Sequence, residues 1–201
     1  MKYIIIGMHS SGKQEVADIL ENNGIRCGKL FTNLDNINNN VYNGNNYEQY
    51  TNKDINDIFE NNAYVFLQEF PFGDDLNLSA FKYYEGLSLY EFENNDVFVI
   101  SPDQIFTISP TAIKDEVCFV WLDNTKKERL NRYYAEKRSY NFSNREYIES
   151  KDSSSFVKFL YGFDKSRVLY FTNEDPNRVA AIVYSAIKYP DLLDIYTECF
   201  K

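Results

Sequence analysis

Residues 3–14 read YIIIGMHSSGKQ, and the architecture expected for the whole chain follows from them. The apolar run Tyr3–Ile6 predicts a buried strand, and Val16, Ile19 and Leu20 recur at the spacing of a helix over Gln14–Asn22. The residues between match the pattern GxxxxGK, in which flexible glycines let successive backbone N–H groups turn toward a phosphate at the start of a helix. We therefore predict a phosphate loop in an α/β protein. The residues assigned to ATP binding are Gly7, His9, Ser10, Ser11, Gly12, Lys13 and Gln14.

Three of these side chains have individual roles to consider. Lys13 is expected to reach the β and γ phosphates of ATP. Gln14 stands where the pattern has a Ser or Thr hydroxyl that ligates Mg²⁺, so its amide oxygen is a weak candidate metal ligand on a longer arm. His9 is the single histidine, and it is a general base, a ligand or a plain loop residue; the variable loop positions, which need only supply backbone amides, favour the last.

The rest of the chain continues the alternation of strands and helices. Several apolar runs are continuous rather than alternating, as in strands that are covered on both faces of a parallel sheet. Strands are predicted over Ile25–Phe31, Tyr64–Phe70, Val97–Ile100, Val117–Leu122 and Val168–Phe171. Helices are predicted over Thr125–Arg138, Ser143–Phe159, Pro176–Ile187, and from an N-cap at Thr51 to Glu60 with Ile55, Ile58 and Phe59 on its inner face. The expected fold is a parallel sheet with helices on both faces.

Composition limits the class of protein. The 201 residues are 44% hydrophobic and 25% charged, which suits one globular domain. A net charge of −9 disfavours a general nucleic-acid partner. No apolar stretch approaches the length of a membrane span, and Cys27, Cys118 and Cys199 lack the spacing of a zinc site or a disulfide framework. We expect a soluble, cytoplasmic protein with no nucleic-acid or membrane partner.

Several segments together resemble the guanylate kinase family, in a divergent form and over nearly the whole chain. Residues 43–51 are similar to the stretch that opens the family's nucleoside monophosphate lobe. Residues 66–70 resemble the strand whose glutamate faces guanine, and residues 84–88 resemble its Tyr-Gly-Thr-Ser turn. The resemblance implies acceptor-binding roles for Glu69, Tyr84 and Ser88, and for Asp103 at a strand end near the metal and the acceptor phosphate.

A basic region later in the chain resembles the family's lid. Residues 128–132, 137–138 and 143–156 follow its pattern of arginines, a glutamate and a final phenylalanine. A lid closes over the transferring phosphoryl group, where cations neutralise charge and water is excluded. The resemblance implies catalytic roles for Lys13, Arg132 and Arg138, and lid roles for Arg129, Arg145 and Lys151.

One departure from the family concerns the acceptor's phosphate. The family supplies two arginines to hold it, and Thr32–Ile37 stands in their place without either. Neither Leu nor Asn replaces a bidentate cation. Acceptor binding is therefore expected to be weaker, redirected or lost, unless the nearby Arg26 or Lys29 compensates.

The resemblance implies a single domain over residues 1–201, with a core of 1–31 and 90–201, an acceptor lobe at about 32–89 and a lid at about 137–151. The implied activity is transfer of the γ-phosphoryl group of ATP, with Mg²⁺, to GMP, dGMP or a related nucleoside monophosphate. Two alternatives stay open: a catalytically inactive binding module of the same fold, and another phosphate-loop kinase that acts on a pyrimidine or modified nucleotide. The preferred base, the sugar and the oligomeric state are not determined by the sequence.

Overall fold

The structure, a computed structural model, describes residues 1–33, 47–71, 82–108, 117–135, 142–143, 146, 168–172 and 174–193. Its strands are β1 (Lys2–Gly7), β2 (Leu30–Thr32), β3 (Tyr47–Gln49), β4 (Tyr64–Pro71), β5 (Lys82–Ser88), β6 (Val97–Ile100), β7 (Val117–Asp123) and β8 (Val168–Thr172). Its α-helices are α1 (Lys13–Asn22), α2 (Asn52–Glu60), α3 (Leu89–Asn94), α4 (Lys126–Ala135) and α5 (Pro176–Lys188), and Gln104–Thr107 form a 3₁₀ turn.

The central sheet is parallel and has the strand order β6-β1-β7-β8. Ile6 of β1 pairs with both Ile100 and Trp121, so three neighbouring strands end at one edge. The helices α1 and α5 bury apolar side chains on one face, and α3, the 3₁₀ turn and a second sheet pack on the other. The predicted α/β fold with a parallel sheet flanked by helices is confirmed.

The second sheet has the order β3-β2-β5-β4 and is mostly antiparallel. The strand predicted over Ile25–Phe31 is shorter in the structure, where β2 spans only Leu30–Thr32. Cys27 makes a single bridge to Val97 and the N–H of Asp96 donates to the Arg26 carbonyl, so residues 26–28 cross the amino end of β6 instead of extending a ladder.

Residues 84–88 form part of strand β5 and not the turn implied by the family resemblance. They pair along β4 with Glu69 opposite Tyr84 and Leu67 opposite Gly86. Gly86 permits this register because the Phe31 ring packs where a side chain would stand: an alanine Cβ would lie 2.4 Å from Phe31 Cζ. The absence of a side chain at this position therefore serves sheet packing.

The helix that begins after Thr51 was correctly predicted at its start. Thr51 Oγ1 accepts from the Asp54 N–H and the Asp54 carboxylate accepts from the Thr51 N–H, which is a capping box. Ile55 is buried, but Phe59 is 60% exposed, so its predicted place on the inner face is wrong. The Phe59 ring stacks at the surface on Tyr64, at 6.4 Å between centroids.

The later helices are described in part. Helix α5 begins at Pro176 with Asp175 as N-cap, close to the prediction. Helix α4 is described to Ala135, and most of the helix predicted over 143–159 lies outside the described residues. Cys27 and Cys118 are free thiols, and Cys199 lies outside the described part. No helix among the described residues has the length and apolarity needed to cross a bilayer.

Two glycine substitutions separate packing strain from backbone strain. Gly86→Ala places a methyl group against Phe31 and the Phe66 carbonyl, and we expect it to lower the free energy of unfolding by about 3 kcal/mol or more. Gly24→Ala meets open space at a φ of 80°, so it should cost only the left-handed backbone penalty of about 1 kcal/mol. Urea unfolding measures both, and equal losses would contradict the packing of β5.

Candidate phosphate-binding site

The loop between β1 and α1 has a backbone suited to binding an anion. Ser10 has a φ of 55° and Gly12 a φ of 89°, and the Ser11 N–H donates to the Met8 carbonyl at 3.1 Å. Left-handed residues in a tight loop turn backbone N–H groups toward a common centre, and the start of α1 adds its partial positive charge. A side chain at Gly7 would lie 2.6 Å from Ser11 Oγ. Both glycines of the motif are therefore required by the geometry.

Lys13 spans this loop. Its ammonium group donates to the carbonyls of Gly7 and Met8, the latter at 3.0 Å. These contacts hold a positive charge at the mouth of the loop, where the terminal phosphates of a nucleotide would approach.

Three oxygen-bearing side chains lie in the segments that follow β1 and β6, two strands that end at the same edge of the sheet. Asp103 is 6% exposed, and neither of its carboxylate oxygens has a hydrogen-bond partner among the described residues. The hydroxyl oxygens of Ser101 and Ser11 are also buried and have no hydrogen-bond partner among the described residues. Since β6 ends beside β1, Ser101 follows its strand at the same edge as Gly7. A buried carboxylate without a partner is costly, and a hard cation satisfies it.

These residues fit Mg²⁺, which takes oxygen ligands and is commonly held by one carboxylate together with phosphates and waters. The described residues contain no cluster of three His, Cys, Asp or Glu side chains, and Asp103 is a buried carboxylate in the segment that follows β6. The Gln14 amide donates to Asp18, one turn further along α1. Its side chain therefore runs along the helix, although its Oε1 atom is buried without a partner among the described residues.

Arg132 lies against the other end of the loop. A methyl group at Gly12 would lie 3.1 Å from Arg132 Nη1, and the same nitrogen pairs with Glu15 at 3.1 Å. Helix α4 thus brings one of the predicted catalytic arginines to the phosphate loop. Arg138, Arg145 and Lys151 lie outside the described residues.

Arg129, one turn before Arg132, is buried in an ion pair. It is 3% exposed and donates to both carboxylate oxygens of Glu146, at 2.6 and 2.9 Å, and to the Asn124 carbonyl at 3.2 Å. The hydrogen bonds from Arg129 lower the pKa of Glu146 below its ordinary value of 4.5. This predicted lid arginine therefore joins α4 to the segment that carries Glu146.

His9 is covered by the same segment. It is 7% exposed, its ring meets the Phe142 ring edge-on at 4.3 Å, and its Nε2 lies 3.7 Å from Glu146 Oε2. The sequence favoured a plain loop position, and nothing in its pattern indicated these contacts with residues more than 130 positions away.

The predicted acceptor residues fall in two places. The Tyr84 hydroxyl donates to Glu69 at 2.9 Å, across the ladder of β4 and β5. Ser88 is buried and caps α3, since its Oγ accepts from the Glu91 N–H at 3.1 Å. Asp103 follows β6 and immediately precedes Gln104, whose amide donates to Glu85 of β5. Tyr84 and Glu69 are the pair that the structure brings together.

Sequence reasoning missed a buried polar link between the second sheet and the core. Glu85 is 2% exposed and accepts from Tyr47 Oη at 3.3 Å and from Gln104 Nε2 at 2.8 Å. Gln104 Oε1 in turn accepts from the Ser101 N–H at 2.9 Å. Neighbouring side chains of a strand point to opposite faces of the sheet, so Glu85 and Tyr84 lie on opposite faces of β5. The sequence could have indicated this only if residues 82–88 had been predicted as a strand.

Arg26 lies away from the phosphate loop. It is exposed and donates twice to Asp96, at 3.0 Å each, just before β6 begins. The phosphate loop lies at the opposite, carboxyl edge of the same sheet.

No protein-family model matches the chain, and no curated protein matches it in sequence. Among solved structures, it is similar to the crystal structure of guanylate kinase from Anaplasma phagocytophilum, with a TM-score of 0.56 and 13% sequence identity. The similarity covers 94% of this chain and 85% of that one. At this identity the comparison establishes the fold, which is guanylate-kinase-like.

The ion pair of Glu146 predicts how acid affects stability. Because its pKa is lowered in the folded protein, its contribution is present above pH 4.5 and lost as the pH falls through the lowered value. The difference in free energy of unfolding between the wild type and Glu146→Gln should therefore shrink below pH 4.5. Glu174→Gln, which removes a partly exposed partner of Arg178, is the control for loss of a surface charge. A difference that stays constant or grows toward pH 3 contradicts the pairing.

Proposed function

We propose that the protein is a nucleoside monophosphate kinase of guanylate-kinase type, which transfers the γ-phosphoryl group of ATP to GMP, dGMP or a related monophosphate. The observation that carries the proposal is the convergence of Lys13 and Arg132 on one phosphate loop from two separate helices. The guanylate-kinase-like fold supports the choice of reaction.

The donor side of the proposed site is built on the loop. The backbone amides from Gly7 to Lys13 and the Lys13 ammonium hold the phosphates of ATP. Ser11, Ser101 and Asp103 supply the oxygen atoms for Mg²⁺, with Gln14 as a weaker candidate. When bound, Mg²⁺ neutralises charge on the β- and γ-phosphate oxygens.

Phosphoryl transfer asks little covalent chemistry of the protein, because positioning and charge neutralisation supply most of the catalysis. In the proposed reaction Lys13 and Arg132 hold the γ-phosphoryl group in line with the acceptor oxygen, and Arg138 approaches with the lid. Arg129, Arg145 and Lys151 complete the proposed lid at about residues 137–151 and its hinge on α4.

The acceptor is proposed to bind the lobe formed by about residues 32–89. The Glu69 carboxylate, oriented by Tyr84, can accept two hydrogen bonds from the Watson–Crick edge of guanine. Ser88 and Asp103 complete the proposed acceptor set. Because the lobe lacks two phosphate-binding arginines, we expect a high KM for the acceptor rather than for ATP.

Turnover is tested with ATP and Mg²⁺ against a panel of ribo- and deoxynucleoside monophosphates, with ADP formation as the readout. One monophosphate should support turnover, and Lys13→Ala should lower kcat about 100-fold or more because it removes the charge at the γ-phosphate. Absence of turnover across the panel, in a folded protein, contradicts the kinase and favours a binding module.

Arg132 has a matched control in Arg26, since each arginine pairs with one carboxylate at about 3 Å. Arg132→Ala should lower kcat about 10- to 100-fold, because the variant loses a cation beside the transferring group. Arg26→Ala, at the opposite edge of the sheet, should leave kcat within twofold of wild type. Equal effects of the two changes on kcat would show that Arg132 contributes only to the overall charge of the protein and has no specific role at the phosphate loop.

A further inference from the structure

Four side chains form a cluster that joins the phosphate loop and α4 to Phe142 and Glu146. They are His9, Phe142, Glu146 and Arg129, here called the His9 cluster. The Phe142 ring contacts the imidazole edge-on at 4.3 Å and lies 5.9 Å from the Arg129 guanidinium. The Glu146 carboxylate lies between the His9 imidazole and the Arg129 guanidinium.

The contacts close into a ring around the phosphate loop. From His9 near the start of the loop, the ring passes through Glu146 to Arg129. Arg132 follows three residues later, about one turn along α4. From Arg132 the ring returns to the end of the loop through Gly12 and Glu15. The position of Arg132 over the loop is therefore fixed from both ends of the loop.

Burial shows that His9 is a packed member of this ring. The imidazole is buried, whereas the neighbouring loop residues Met8 and Ser10 are only partly buried. Tyr133 also contacts Phe142, with 5.3 Å between ring centroids, so α4 makes an apolar contact with Phe142 beside the ion pair. The cluster combines an ion pair, an aromatic pair and a buried imidazole, and each makes the geometry of the others more definite.

We propose that His9 is a positioning residue: through Phe142, Glu146 and Arg129 it holds α4 so that Arg132 stays beside the phosphates of bound ATP. This inference rests on the proposed function, because it assigns Arg132 a task in holding the donor. It requires no proton transfer by His9. Nucleotide affinity and the contacts of Phe142 and Glu146 are then linked, so loss of one weakens the other.

The experiment is a double-mutant cycle on His9 and Arg132, read out in two ways. The first is kcat/KM for ATP, and the second is the Kd of the Mg²⁺ complex of a fluorescent N-methylanthraniloyl ATP. His9→Ala alone should lower kcat/KM and raise Kd about fivefold to tenfold, with the KM of the acceptor unchanged. In an Arg132→Ala background the same change should have almost no further effect, since His9 acts through Arg132.

Two more variants show whether the cluster, rather than the loop, is responsible. The Phe142 ring contacts the side chains of His9, Tyr133 and Arg129, and Phe142→Leu should reproduce most of the effect of His9→Ala. Phe92→Leu is its control, because the Phe92 ring also lies 5.9 Å from a cation, Lys2, at the amino end of the sheet. Urea unfolding at the assay temperature confirms that each variant is folded when its Kd is measured.

The outcomes are distinct. If the effects of His9→Ala and Arg132→Ala multiply, His9 acts on the loop alone and the inference is wrong; an unchanged Kd in His9→Ala also overturns it. If the wild type binds the ATP analogue but transfers no phosphoryl group, the proposed kinase fails while the Kd cycle still decides the role of His9. If the wild type binds no ATP analogue, both the function and the inference are overturned.

Discussion

The site depends on the parallel register of β1 with β6 and β7. Because Ile6 pairs with Ile100 and with Trp121, the residues that follow these strands emerge at one edge. The phosphate loop, Asp103 and the chain entering α4 are therefore neighbours although they are far apart in sequence. Parallel strands of this kind place binding residues at their carboxyl ends, and the guanylate-kinase-like fold follows the same arrangement.

Although the chain has a net charge of −9, two arginines of α4 lie near this edge of the sheet. Arg129 is neutralised by Glu146 and is buried, so its charge serves the packing of α4. Arg132 pairs with the exposed carboxylate of Glu15 and lies beside Gly12. Two arginines on one helix thus differ in burial, since Arg129 is 3% exposed and the Arg132 side chain is 25% exposed.

The sequence predicted the parts of the fold that rest on local patterns. Continuous apolar runs and the GxxxxGK loop determined the strands β1, β6, β7 and β8 and the helices α1 and α5. It failed where long-range packing is involved: Gly86 lies in a strand with the Phe31 ring packed against it, and Phe59 is exposed with its ring stacked on Tyr64. The His9 cluster and the link from Glu85 to Gln104 were invisible for the same reason, since each joins residues that only the fold brings together.

The most direct test of the proposed kinase is ³¹P NMR of the wild-type protein with ATP, Mg²⁺ and each nucleoside monophosphate in turn. We expect the γ-phosphoryl signal of ATP to be lost while the β-phosphate signals of ADP and of the new nucleoside diphosphate each grow in equal amount, for one acceptor above the others. Signals of ATP that stay unchanged with every acceptor, or that convert only to ADP and inorganic phosphate, would contradict it.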